Sequence, residues 1–374
     1  VRRPLLARLA GGGRIGPALE FVRFGSAVVD EAGPQGLGIT YWFDAPDTDE
    51  TYDVVLRLTG RRLDLDGPRT PADEFVAETR LTGLPPRAGR TSLTHRVHDK
   101  AAGRWQVHAD AEAIPSGGAS GARKRLPHAE GVGRSTLALV AGARAPGVVL
   151  GAWPALVALG AVLGVSLQAA LAPAYGLPRG PLLVLSLVAS LVGLVGARLY
   201  YRLTHRHEQA VTWLSGLSVQ GFVLGAAAIL ALGAGVLGGS IGSVLDVTVP
   251  ALLLGQAVGR QGCLLGGCCV GVPSRSRWAV WSSDRRVGTR RVPVQLMESV
   301  SAAALAAVAA VVAWQVQPTP RGVLFVGGFG AYVLVRQLLF PLRALPRATS
   351  YGRTASLVGA GVAVVGAVAL GFLG

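Results

Sequence analysis

Seven stretches of mostly apolar residues fill residues 148–374, at about 148–171, 181–203, 215–238, 241–266, 295–316, 322–342 and 354–373. Each is near the ~20 residues an α-helix needs to cross a bilayer. Inside hydrocarbon the backbone must satisfy its own polar groups, which confines a spanning chain to helices or closed barrels. The expected fold is therefore an α-helical multi-pass membrane protein with seven transmembrane helices. The fourth stretch is the least regular, because Gly and polar residues interrupt it. Its Gly255, Gly259, Gly262 and Gly266 recur along one helical stripe, and small residues let membrane helices approach closely.

Charge divides the chain unevenly. Residues 1–147 hold 20 of the 36 basic and 17 of the 21 acidic residues, and residues 148–374 hold the other 16 and 4. All 16 of those basic residues are Arg, and both lysines, Lys100 and Lys124, lie upstream. Arg stays charged and binds phosphate in bidentate fashion, so the excess points to anionic headgroups. A GC-rich genome also favours Arg codons, but it does not decide where the arginines sit. Three cysteines give no disulfide framework. Residues 1–19 have a basic start and only a very short apolar run, so no secretory leader is expected.

Residues 1–17 read as a basic flexible segment. From 18 to 114 short alternating runs replace the long apolar ones: Gly38–Phe43, Tyr52–Leu58, Phe75–Leu81, Ser92–Val97 and Trp105–Ala109, separated by turn-forming pieces such as Asp-Gly-Pro and Leu-Pro-Pro. That pattern predicts an all-β, immunoglobulin-like sandwich. It holds no catalytic cluster, and His95, His98 and His108 read as scattered solvent histidines. Residues 115–147 read as a flexible basic linker.

The chemistry concentrates in residues 246–298. Gln256, Arg260 and Cys263, at i, i+4 and i+7, share a helical face. An arginine within or at the end of a membrane span is expensive and is read by default as functional. All three cysteines, Cys263, Cys268 and Cys269, follow within nine residues of Arg260, and then comes a loop with Arg275, Arg277, Arg285, Arg286, Arg290 and Arg291. Such a cluster suits anionic lipid heads, or rests on the lipid surface with no pocket. The cysteines fit small apolar fillers, a disulfide, a metal site or a reactive thiolate.

These motifs resemble the prolipoprotein diacylglyceryl transferase family over residues 148–374. Gly259-Arg-Gln-Gly-Cys-Leu-Leu-Gly-Gly-Cys-Cys-Val-Gly271 is similar to the family signature Gly-Arg-x-Gly-Asn-Phe-x-Asn-Gly-Glu-x-x-Gly, matching at Arg260, Gly262, Gly267 and Gly271. Asp246–Pro250, Leu254–Gln256, Pro293–Glu298 (with Gln295 and Glu298), Gly196–Tyr201 (with Arg198) and Arg336–Arg343 are similar to further family motifs, in the family's order. The resemblance implies a seven-span bacterial inner-membrane transferase that moves diacylglyceryl from a phosphatidylglycerol-like phospholipid to the lipobox thiol of a prolipoprotein. It implies Arg260 and Arg343 as the catalytic arginines, with Arg198, Gln220, Gln256, Cys263, Cys268, Gly271, Gln295, Glu298 and Arg336 around the substrate. No cofactor, metal or nucleic acid is implied.

The departures bear on activity. Gln220 stands where the family has a histidine, and Gln cannot take a proton as imidazole does. Trp153 replaces a tyrosine, Cys263 and Cys268 replace the signature Asn and Glu, and Phe340 replaces a Glu. Cys263 or Cys268 as a thiolate, or His205 or His207, could serve as the proton acceptor. The alternative function is a non-catalytic phospholipid-binding or scaffolding relative that recruits a protein partner through residues 18–114. Loop arginines counted by the positive-inside rule place the N-terminus in the cytoplasm, whereas the resemblance implies the opposite orientation, which we take as the expectation.

Overall fold

The structure, a computed structural model, describes residues 18–373 except 49, 66, 117–122, 205–217 and 345–350. The basic segment 1–17, His205 and His207 lie outside the described residues. The chain forms two compact units. One comprises Val1–Trp153, Gly262–Leu296 and Leu342–Pro346; the other comprises Pro154–Gln261, Met297–Pro341 and Arg347–Gly374.

The first unit is built on strands β1 (Ala18–Phe21), β2 (Gln35–Asp44), β3 (Tyr52–Arg62), β4 (Glu74–Leu84), β5 (Arg90–Val97), β6 (Arg104–Pro115), β7 (Lys124–Arg134), β8 (Thr136–Leu137), β9 (Val280–Ser283) and β10 (Val287–Arg291), with short helices α1 (Ala27–Glu31) and α2 (Ala138–Ala143). All five strands expected from the alternating runs are present. They form two antiparallel sheets, one ordered β1-β2-β5-β10-β9 with β8 beside β2, the other β4-β3-β6-β7. Alternation puts Val54, Leu56 and Leu58 of β3 inward, against Leu37, Ile39, Tyr41 and Phe43 of β2 and Trp105 and Val107 of β6. Each large apolar side chain fully buried there contributes roughly 1.5–3 kcal/mol. The Tyr41 hydroxyl, at the edge of that core, donates to the Pro127 carbonyl at 2.6 Å.

Two features of this unit differ from expectation. Residues 124–134 are not linker: they form β7, paired along β6. Leu126 and Ala129 point inward, and Gly131 and Gly133 lie beneath Leu19 and Phe21. Leu126 is the one large apolar residue on the inward face, the others there being Ala and Gly, so the segment lacks the apolar weight that marks a strand. Pro127 is tolerated because β7 is an edge strand, where a missing N–H is not missed by a neighbour. The second difference is the Arg-rich loop. It folds as the hairpin β9–β10 (Gly288↔Ser283 to Arg291↔Val280), and β10 pairs with β5 through Val287↔Leu93 and Gly288↔Ser92. Trp281 stacks on Trp42 at 5.6 Å and donates its indole N–H to the Arg90 carbonyl at 2.9 Å.

The second unit is helical, with α3 (Ala152–Leu171), α4 (Arg179–Thr204), α5 (Val219–Val236), α6 (Ile241–Gly266), α7 (Val294–Gln315), α8 (Val323–Leu339) and α9 (Gly352–Leu373) giving most of its residues. Six of these segments are long and apolar enough to span a bilayer, and the apolar part of α5, Gly221–Val236, is shorter. Val195, Leu199, Val308, Val311, Val362 and Val365 face outward. A contiguous apolar exterior is the reverse of a water-soluble surface, and the protein is a multi-pass membrane protein. Close helix contact follows the small residues: a Cβ at Gly196 would lie 2.5 Å from the Gly221 carbonyl oxygen, and one at Gly221 would clash with the Gly196 carbonyl in return. Polar groups are satisfied locally. Buried Asp246 accepts the N–H groups of Gly322 (2.7 Å) and Phe325 (2.9 Å), so one helix caps the exposed N-terminus of another. Gln168 bridges Thr248 (2.8 Å) and Ser186 (2.5 Å).

Candidate functional site

Arg260 is buried in the last two turns of α6, and its Nε lies 3.0 Å from Oε2 of Glu298 in the first two turns of α7; their side chains are 10% and 3% exposed. A charge so withdrawn from water is tolerable only when paired. Glu298 is therefore the anionic partner that an intramembrane arginine calls for. Beside it, the Ser299 hydroxyl donates to the Ala257 carbonyl at 2.6 Å, pinning α7 to α6.

Gln256, Arg260 and Cys263, expected to share a helical face, each have polar neighbours. Gln256 turns to α8, where Tyr332 donates to its Oε1 at 3.2 Å and Arg336 Nη1 donates to the Tyr332 hydroxyl at 3.3 Å. Arg260 turns to α7. Cys263 joins the other two cysteines. Tyr332 and Ser299 were not singled out from the sequence. The available signal was their spacing, four residues before Arg336 and next to Glu298.

Arg198 lies half-buried near the end of α4, and Gln220 lies in the first turn of α5. The Gly196–Gly221 contact holds these two helices together beside both positions. Phe340 is half-buried just after α8, and Trp153 sits at the start of α3.

In the β unit, α6 ends in a turn that gathers all three sulfurs. The Cys268 N–H donates to the Cys263 carbonyl at 3.0 Å. Gly267 and Cys269 both adopt left-handed backbone, with φ of 67° and 53°. The Sγ atoms of Cys263, Cys268 and Cys269 lie within 4.8 Å of one another, and all three cysteines are free. Hydrogen bonds to Cys263 and Cys269, together with burial, push the Cys268 thiol well above its ordinary value. Gln295 Nε2 donates to the Cys268 carbonyl at 3.0 Å.

Arg343 is also buried in this unit. Its backbone bridges Gly271, with Val272 N–H donating to the Leu342 carbonyl and Ala344 N–H to the Val270 carbonyl, both at 2.9 Å. A side chain at Gly271 would strike the Val292 carbonyl, so the signature glycine is required by close backbone approach. Arg260 and Arg343 belong to different units.

The loop arginines divide by role. Arg285 Nε donates to the Gly266 carbonyl at 2.9 Å and caps the α6 C-terminus, where cations are favoured. Arg290 binds the Ser276 and Ala279 carbonyls. Arg291 is buried, bonded to the Gly271 and Val287 carbonyls and to Asp284 at 2.9 Å. These three are structural. Arg275, Arg277 and Arg286 face outward, and Arg277 stacks over Trp278, itself 72% exposed, at 5.0 Å.

Comparison with known proteins identifies a family. Residues 144–371 match the family model described as prolipoprotein diacylglyceryl transferase. Proteins named phosphatidylglycerol–prolipoprotein diacylglyceryl transferase are similar. The one from Dehalococcoides mccartyi (strain ATCC BAA-2266 / KCTC 15142 / 195) is 34% identical over 134 residues, 35% of this chain and 50% of that protein. The one from Synechococcus sp. (strain CC9902) is 28% identical over 137 residues, 35% of this chain and 49% of that protein. The one from Geobacillus kaustophilus (strain HTA426) is 33% identical over 114 residues, 29% of this chain and 42% of that protein. The chain thus spans half or less of the length of these relatives.

Proposed function

The chain belongs to the prolipoprotein diacylglyceryl transferase family, and from that premise we propose that it transfers diacylglyceryl from an anionic, phosphatidylglycerol-like phospholipid to the thiol of a prolipoprotein. In this reading all seven apolar helices, α5 included, cross the inner membrane. The observation that carries it is Arg260: a guanidinium buried in a span-length helix, at the signature position, held by Glu298.

The reaction forms one bond and breaks one. The acceptor sulfur attacks the glycerol carbon that bears the phosphate, a C–S bond replaces that C–O bond, and glycerol phosphate leaves with both electrons. Negative charge grows on the departing phosphate. Fixed guanidinium groups aimed at such charge are worth most where water is excluded, and Arg260 and Arg343 are the residues proposed for this role. The thiol proton must also go somewhere, and Gln220 cannot accept it. The leaving phosphate monoester can, since its second ionisation lies near pH ~6; proton and leaving group then balance without a histidine.

The strand order supports a finer description of the β unit. The orders β1-β2-β5 and β4-β3-β6-β7 suit an immunoglobulin-like sandwich whose fourth strand has moved to the sheet of the third. Its outward strands are the surface through which a protein partner would dock.

The deciding experiment reconstitutes the full chain in vesicles of labelled phosphatidylglycerol with a lipobox peptide. Label moves to the peptide thiol with wild type and falls by about 10²–10³ in Arg260→Ala and Arg343→Ala, the scale of losing one charge-stabilising donor. Transfer that survives both substitutions refutes the assignment of the arginines. No transfer by wild type returns the chain to the lipid-binding alternative that Gln220 favours.

A further inference from the structure

The cysteine turn is the most specific chemical arrangement outside the proposed reaction. Three thiols from a seven-residue stretch converge with their sulfurs within 4.8 Å of one another, one of them buried and two half-buried. None is in a disulfide. Tetrahedral or trigonal thiolate sites hold their sulfurs at about 2.3 Å from the metal, hence about 3.8–4.0 Å from one another, and the three sulfurs here fall within 4.8 Å. The backbone has been bent to achieve this. Cys269 is one of few non-glycine residues with a left-handed φ, a conformation uncommon for a side chain with a Cβ. Two half-buried cysteines used only as filler would not need it.

The turn is also held from outside. The Cys268 N–H and carbonyl are both bonded, to the Cys263 carbonyl and to Gln295 Nε2. One residue beyond Cys269, the Val270 carbonyl accepts the Ala344 N–H at 2.9 Å. Ligand positions are thus fixed by main-chain bonds on either side, the support a metal site requires.

We propose that Cys263, Cys268 and Cys269 form a three-thiolate site for one soft d¹⁰ cation, Cu(I). Among the described residues no histidine, carboxylate or fourth cysteine joins the group. Soft sulfur ligands select Cu(I) and Zn(II). Zn(II) in a structural site takes four ligands, whereas three sulfurs complete a trigonal Cu(I) site. Binding replaces three S–H bonds by three Cu–S bonds and releases three protons, with no change of oxidation state. This site does not depend on the transferase reading, and its test needs no transfer assay.

The test uses the full chain, purified anaerobically in detergent and titrated with Cu(I) supplied as its bathocuproine disulfonate complex. Wild type withdraws one Cu(I) per chain, and X-ray absorption shows a shell of three sulfurs. Cys263→Ser, Cys268→Ser and Cys269→Ser each weaken uptake by at least about tenfold, as expected when even supporting contacts of a metal site cost that much. Size-exclusion profiles matching wild type show that the variants are folded, and the X-ray absorption of wild type stands independently of them. Equal uptake by wild type and the triple serine variant overturns the proposal. So does a copper shell with fewer than three sulfurs, stoichiometric Zn(II) held in preference to Cu(I), or mass spectrometry of the alkylated wild type showing two of the three cysteines joined.

Discussion

Replacing Glu298 by Leu removes the carboxylate beside Arg260 and leaves its guanidinium buried without that counter-charge. Their 3.0 Å separation corresponds to a gross attraction of about 5 kcal/mol at an effective dielectric of 20. Both groups have surrendered hydration to reach it, so the net value of the pair is much smaller. The cost of breaking it is not small, because the survivor stays buried without that counter-charge, at up to roughly 3–5 kcal/mol. The two single substitutions are unequal. In Glu298→Leu the survivor is a guanidinium, which stays charged at any accessible pH. We therefore expect Glu298→Leu to be the worse, lowering the unfolding midpoint of the detergent-solubilised protein by roughly 6–20 °C at 2–4 °C per kcal/mol. The double variant Arg260→Met/Glu298→Leu should recover most of this loss, since a well-packed apolar pair commonly equals or exceeds a buried ion pair in stability. On the proposed role of Arg260, transfer activity should stay low in the double variant. A coupling energy below about 1 kcal/mol in this cycle, or a double variant as unstable as the sum of both singles, would refute the claim that the two side chains form one buried unit.

Further outcomes follow from the packing and titration. Gly196→Ala drives a methyl into the Gly221 carbonyl and should cost about 1–3 kcal/mol, whereas Gly361→Ala, which meets nothing within 4 Å, should be neutral or stabilise by up to about 1 kcal/mol; thermal midpoints of the two variants compare them directly. Asp246→Ala unpairs the N–H groups of Gly322 and Phe325 at the start of α8 and should destabilise by several kcal/mol, since such groups find no water in hydrocarbon, measured as a lowered yield of monodisperse protein and faster exchange of those amides. Burial, with the charges of Arg286, Arg96 and His98, holds the His95 pKa below its ordinary 6.5. The unfolded chain then binds a proton that the folded chain refuses, so β-unit stability falls as pH drops below about 6.5; tryptophan fluorescence of unfolding at neutral and mildly acid pH should show this, with a flatter profile in His95→Gln.

Long apolar runs and alternating strands were readable because burial imposes a period on the sequence, and every expected helix and strand has a counterpart within a few residues. The segment 124–134 escaped notice because glycines and alanines pack as well as large residues when Phe21 and Leu19 cover them. The hairpin β9–β10 escaped for a different reason. Val280–Ser283 and Val287–Arg291 are too short to signal strands alone, and their pairing with β5 joins residues about two hundred positions apart. At the site, Arg260 and Glu298 were both marked by their motifs, but their ion pair is a fact of helix packing. Conversely, six loop arginines looked alike in sequence. Only the fold separates Arg285, Arg290 and Arg291, which hold carbonyls, from Arg275, Arg277 and Arg286, which face outward.

The seam between β10 and β5 has a consequence for how this protein could have arisen. A domain hung on a tether can be gained, lost or exchanged with little effect on its host. Here the host contributes two strands to the guest's own sheet, and Trp281 of the host stacks on Trp42 of the guest. Deleting the guest would bare a strand edge and an indole in the loop directly after the signature glycines, inviting self-association. Strands β1, β2 and β5 and the hairpin β9–β10 thus form one sheet, and neither part can be removed without baring the other.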